Sequence, residues 1–138
     1  MRQKNSIAIG HAGEHLTCYV AIMDGYNAYR VTGQLPYDVI VEKGKNLYKV
    51  QVKTSTYKGN RPSITFQLRR RAMSYSSKKS TAYSYPKNTI DLYAFASPDY
   101  SKVAFIPMED IVNQYKISIN EEDFNKYPLN IALEKIDV

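Results

Sequence analysis

The sequence predicts an α+β domain with a long N-terminal helix, a mixed central sheet built from β-hairpins, and peripheral helices. Three observations carry that reading. Ala8, Ala12, Leu16, Val20 and Met23 recur at helical spacing. Two later stretches place runs of apolar and β-branched residues on either side of turn-forming residues. No internal repeat or linker splits the 138 residues, which read as one domain over 1–138 with a single core.

Taken in order, the first element is a helix over residues 6–23, stopped by Asp24-Gly25. Gly10 and Gly13 lie inside it, and a glycine there points to another backbone passing close by. Residues 36–41 read as a strand, Lys43-Gly44-Lys45-Asn46 as a turn, and residues 47–54 as the returning strand of a hairpin. After a turn at 58–62, Ile64, Phe66 and Leu68 alternate with Thr65 and Gln67, giving a third strand with one buried face. Residues 69–88 are basic and rich in serine and tyrosine, and read as a long loop or ragged helix. A second hairpin is expected from residues 89–96 and 102–106 around Ser97-Pro98-Asp99. Residues 108–115 read as a short helix with Glu109 and Asp110 at its favoured end, and no clear period follows Lys116.

The net charge of +6 and the pI near 9.3 favour a polyanionic partner, nucleic acid before an anionic membrane surface. The 13 tyrosines offer stacking faces and hydroxyls for a wet, polar partner as well as for a core. Cys18, the single cysteine, excludes an internal disulfide and a cysteine-based zinc site, and its apolar neighbours suggest a buried thiol. No run approaches the ~18 apolar residues of a membrane span, and no signal peptide is evident. The expectation is a cytoplasmic protein without a membrane partner.

The chemistry concentrates in Pro36-Tyr37-Asp38-Val39-Ile40-Val41 and Tyr48-Lys49-Val50-Gln51-Val52-Lys53. Residues two apart on a strand share a face, so Gln51 and Lys53 point one way while Val50 and Val52 point into the core. Pairing across the Gly44 turn can bring Asp38 beside them. A magnesium ion takes oxygen ligands, often one or two carboxylates with waters and phosphate oxygens. Asp38 offers a carboxylate, Gln51 a neutral amide oxygen, and Val52 its backbone carbonyl. Lys53 stands where it can hold an attacking water and offset charge on a phosphorane.

Pro36-Tyr37-Asp38 followed by Gln51-Val52-Lys53 resembles the signature of the PD-(D/E)XK nuclease superfamily, an acidic residue, a gap, then acid-x-lysine. Gly10-His11-Ala12-Gly13-Glu14 is similar to the helix that supplies a further glutamate in many members. With Gln51 at the second acidic position, the pattern is most similar to the small intron-homing branch. Archaeal Holliday-junction resolvases look similar but carry glutamate there. The resemblance covers residues 10 to about 56, with a looser echo in Ile90-Asp91-Leu92-Tyr93 and Phe105-Ile106-Pro107. It implies a restriction-endonuclease-like α/β fold and metal-dependent hydrolysis of DNA phosphodiesters. It further implies a site of Glu14, Asp38, Gln51 and Lys53 with Asp38, Gln51, Val52 and Glu14 on Mg2+, for which Mn2+ could substitute. Gln51 removes one negative charge from the usual pattern, which bears on metal affinity.

Plainer readings stand beside these. Asp38 and Lys53 could form an exposed cross-strand ion pair, worth roughly 0–1 kcal/mol. Asp91 reads as a strand-edge residue rather than a supporting acid. His11-Ala12-Gly13-Glu14-His15 also fits the zinc-peptidase pattern H-x-x-E-H, though Gly13 lies inside it and no third ligand follows. Lys58, Arg61, Arg69, Arg70, Arg71, Lys78, Lys79 and Lys87, interleaved with tyrosines, read as an arm gripping the DNA backbone. One site cuts one strand, so double-stranded DNA as substrate calls for a homodimer or a dimer of dimers. The alternatives are a junction-resolving or repair nuclease, and a non-catalytic DNA-binding module on a nuclease fold.

Overall fold

The computed structural model describes residues 5–56, 62–68, 70–73, 80–83, 89–111 and 113–137; at 70–73 and 80–83 it describes the backbone. Among these residues, helix α1 (Ser6–Met23) is followed by β1 (Asn27–Arg30), β2 (Val39–Lys43), β3 (Asn46–Thr54) and β4 (Ser63–Gln67). Then come β5 (Arg70–Met73), β6 (Ser80–Tyr83), β7 (Leu92–Ser97), β8 (Lys102–Pro107), β9 (Lys116–Asn120) and helix α2 (Leu129–Asp137).

Asn5 caps α1 by accepting the Ala8 N–H at 2.8 Å, which satisfies one of the orphan donors of the first turn. Gly25, at φ +99°, lets the chain leave the helix where Asp24-Gly25 was expected to stop it. The stripe suggested by periodicity is not the buried one. Ala8, Ala12 and Met23 are exposed, and the buried positions are Gly13, Thr17 and Ala21. An apolar residue stands on nearly every face of α1, so periodicity alone cannot select the inner one. Small side chains decide it by letting the helix settle onto the sheet. A Cβ at Gly13 would come within 1.8 Å of Thr54 Oγ1. The close approach expected there is real, with a side chain as the neighbour, but a Cβ at Gly10 would meet nothing within 4 Å beyond its own helix.

The main sheet has the order β1-β2-β3-β7-β8, antiparallel throughout except for the parallel β3–β7 pair. The β2–β3 hairpin turns at Gly44, φ +61°, with Lys43 opposite Asn46. The strand expected at 36–41 starts only at Val39, so Asp38 stands at its threshold. β4 is not a third strand of this sheet; it pairs antiparallel with β9 in a separate two-stranded sheet. Where described, the segment expected as a loop or ragged helix is instead the antiparallel β5–β6 pair. The helix expected over 108–115 shrinks to a 3-10 turn at Met108–Asp110, because by Tyr115 the chain is already returning, its carbonyl accepting the Leu68 N–H at 2.8 Å.

Both faces of the main sheet are covered. One packs Val39, Val41, Val50, Val52, Leu92 and Ala94 against α1 and α2. The other packs Tyr93, Phe95, Ala104 and Ile106 under Ile64, Phe66 and Ile119 of the β4–β9 sheet. That is why every residue of β7 is buried and none of the usual alternation shows in its sequence. Among the described residues no helix is long and apolar enough to cross a membrane.

Candidate active site

Asp38 is fixed from both sides of its backbone. Its N–H donates to the Val50 carbonyl at 2.9 Å, and its carbonyl accepts the Val31 N–H at 2.8 Å. Its Oδ2 then accepts two hydrogen bonds from β3, from the Val52 N–H at 2.9 Å and from Gln51 Nε2 at 2.9 Å. Burial pushes the Asp38 carboxyl above the ordinary carboxylate range, and the Val52 N–H opposes that. Glu14 raises it further by like-charge repulsion, while the Lys53 ammonium and the Arg30 guanidinium pull it down. Residues from α1, β1 and β3 thus act on one carboxyl group.

Gln51 departs from its expected placement on an open polar face. It is only 8% exposed, and Tyr93, its register partner on β7, lies in the core under the β4–β9 layer. With Nε2 committed to Asp38, the amide orientation is fixed by chemistry, since a carboxylate can only accept. Gln51 Oε1 is left buried with no hydrogen-bond partner among the described residues. Leaving such an acceptor unsatisfied costs about 1–3 kcal/mol. A cation is what a buried, partnerless carbonyl oxygen beside a carboxylate would take, so the donor set fits a divalent ion.

Glu14 reaches the site from α1, but not alone. Its Oε1 accepts from Arg30 at 2.9 Å (terminal guanidinium nitrogen) and 3.2 Å (Nε). Arg30 also lies 3.2 Å from His15 Nε2. Arg30 was not legible in the sequence: it ends a four-residue edge strand with no pattern of its own. The zinc-peptidase reading finds no support in this arrangement. Glu14 is turned to Arg30, His11 and His15 are exposed, and no three His, Cys, Asp or Glu side chains cluster among the described residues.

Lys53 stands between two hollows. One, of about 310 Å³, lies toward α1 and includes Ser6, Gly10 and Glu14. The other, of about 520 Å³, runs from Thr54-Ser55-Thr56 to the whole of β4, Ser63 to Gln67. Val52, expected to offer its carbonyl, gives its N–H to Asp38. Asp91 serves the sheet: its carboxylate accepts the Lys49 N–H at 2.8 Å. Cys18 is half-buried, and burial pushes its thiol pKa up. Of the expected DNA-gripping arm, Lys58, Arg61, Arg69, Lys78, Lys79 and Lys87 lie outside the described residues, and Arg70 and Arg71 are described by backbone on β5.

With this geometry in place, comparison with known proteins gives three findings. The family model for PD-(D/E)XK endonuclease matches residues 4–128. The bacterial homing endonuclease I-Ssp6803I has a similar fold at 19% identity, with a TM-score of 0.79 covering 95% of this chain and 93% of that one. The Holliday junction resolvase Hjc of Archaeoglobus fulgidus aligns more loosely, at 14% identity and a TM-score of 0.47, over 89% of this chain and 97% of that one. None of the curated proteins compared with the chain matches it.

Proposed function

The chain belongs to the PD-(D/E)XK endonuclease family, and from that premise we propose that it is a magnesium-dependent DNA endonuclease of the homing type. The observation that carries the proposal is the pairing of Asp38 with Gln51, which leaves a buried amide oxygen without a partner beside a carboxylate. Asp38 and Gln51 Oε1 would hold the ion, with the Val52 carbonyl and Glu14 completing its surroundings. When bound, the ion would polarise a phosphoryl oxygen and lower the pKa of water.

The remaining work falls to the chain. Lys53 orients a water for attack on phosphorus and offsets the negative charge that builds on the phosphorane as the water adds, before the leaving oxygen departs. Arg30 holds Glu14 in place and, through its own charge, keeps Asp38 closer to its ionised form. Asp38 takes the Val52 N–H and the Gln51 amide, which fixes its carboxylate before any substrate arrives. One chain offers one such site, so cleavage of both strands of a duplex would use two copies related by a two-fold axis.

The test is cleavage of a library of linear duplexes, and in parallel of four-way junctions, with magnesium and then with a chelator. Magnesium-dependent cutting of a restricted set of linear sites is expected. Cutting of junctions alone would move the assignment to a resolving nuclease. Absence of cutting on either substrate under all conditions would leave a DNA-binding module.

A further inference from the structure

The β4–β9 sheet has two unlike faces. Its inner face, Ile64, Phe66, Ile117 and Ile119, packs against the main sheet. Its outer face is given by the register: Ser63 opposite Asn120, Thr65 opposite Ser118, and Gln67 opposite Lys116. Five of these six side chains are uncharged hydrogen-bonding groups, and none is apolar. A sheet face meant only for water carries no need for such a set, and in a chain of net charge +6 an ordinary solvated face would be expected to hold more charge. The whole of β4, from Ser63 to Gln67, also lines the far side of the hollow whose near wall begins at Lys53.

We propose that this outer face reads base edges of the DNA beside the cleaved phosphate. The inference rests on the nuclease reading above and deepens it by assigning a specificity surface. A two-stranded β-ribbon fits the major groove of B-form DNA, where base edges present distinct patterns of donors and acceptors. Amide side chains such as Gln67 and Asn120 can make paired hydrogen bonds to adenine, and hydroxyls such as Ser63 can serve any base. Thr65 and Ser118 already share a hydrogen bond at 2.8 Å, which ties the two strands' side chains together at the centre of the face. The apolar inner face fixes the register, since a slip of one residue would turn Ile64 and Phe66 outward. Lys116, at the end of the face, supplies a positive charge for the phosphate backbone. The shared hollow gives continuity: a duplex with a phosphate at Lys53 meets strand β4 next, and the outer face borders that strand.

Selection of binding sequences from random duplexes, in the presence of chelator, tests this without any requirement for cutting. The parent should enrich a sequence preference. Gln67→Ala and Asn120→Ala should each lower the preference for particular base pairs by about tenfold, as loss of a paired contact does. Lys116→Ala should instead weaken binding evenly across sequences and flatten its dependence on salt. Circular dichroism melts establish that each variant is folded, and Gln67→Asn provides a milder variant of the same contact. An unchanged preference in the folded Gln67 and Asn120 variants overturns the proposal, as does a parent that enriches no sequence. Magnesium-dependent cutting, measured separately, decides the nuclease reading whichever way the selection falls.

Discussion

At the scale of single residues, the site is a balance around one carboxyl group. Burial and the Glu14 carboxylate raise the Asp38 pKa, while Lys53 and Arg30 lower it. In the metal-free protein, carbon-detected NMR titration should find Asp38 protonating at a higher pH than an ordinary aspartate. Because its folded value is raised, this group favours the folded state at low pH and loses that contribution as pH rises through the folded pKa. Glu14→Gln removes one cause and frees Arg30, so the Asp38 titration should move to lower pH; an upward move would contradict the assignment. Gln51 permits a second prediction. Magnesium should raise the melting temperature of the parent, because an ion bound only to the folded state stabilises it by mass action. Gln51→Leu keeps the bulk but deletes the orphaned oxygen, and should weaken the ion's apparent affinity by about tenfold or more, on the scale of ligand-shell changes in other metal sites.

At the scale of elements, the approach of α1 to β3 sets the position of Glu14 relative to Lys53. Gly13→Ala would place a Cβ inside the Thr54 side chain, and overpacking of this kind costs about 1–3 kcal/mol. Chemical denaturation should show that loss, and Thr54→Ala in the same chain should restore much of it. Gly10 is the contrast. With open space around it, Gly10→Ala should stabilise the helix by about 0.5–1 kcal/mol. At the other end of the chain, the Tyr48 hydroxyl donates to Asp137, and Lys43 lies 3.6 Å from the same carboxylate, tying α2 to the β2–β3 hairpin. Burial, with Asp137 adding to it, pushes the Tyr48 pKa up to about 12. Its stabilising contribution should therefore be complete below the ordinary value of about 10 and be lost as pH rises from there toward about 12. Tyr48→Phe should cost roughly 1–3 kcal/mol at neutral pH and lack that alkaline loss.

The same elements show what the sequence could reveal. The α1 limits, the Gly44 hairpin and the union of Asp38 with Gln51 were legible, because caps, turns and strand alternation act locally. The inner face of α1, the burial of Gln51 and the pairing of β4 with β9 were not, since each depends on what packs from far along the chain. Helix α2 was legible in principle: Leu129, Ala132, Leu133 and Ile136 follow helical spacing, and the first three are buried. Arg30 gave no local signal at all.

At the scale of the whole molecule, two apolar layers clamp one mixed sheet, and the proposed chemistry sits where the parallel β3–β7 pair meets the β2 hairpin. The β4–β9 layer that covers Tyr93, the register partner of Gln51, also presents the polar outer face. In the proposed mechanism Asp38, Gln51 and Lys53 act as a single cleaving unit. Its most direct test is single-turnover cleavage of a selected duplex in magnesium by the parent, Asp38→Ala and Lys53→Ala, each shown to be folded and to bind that duplex. Asp38→Ala should abolish cutting, and Lys53→Ala should slow it by about 10²–10³-fold, the usual loss when one preorganised donor is removed. Cutting by both variants at the parent's rate would rule that mechanism out.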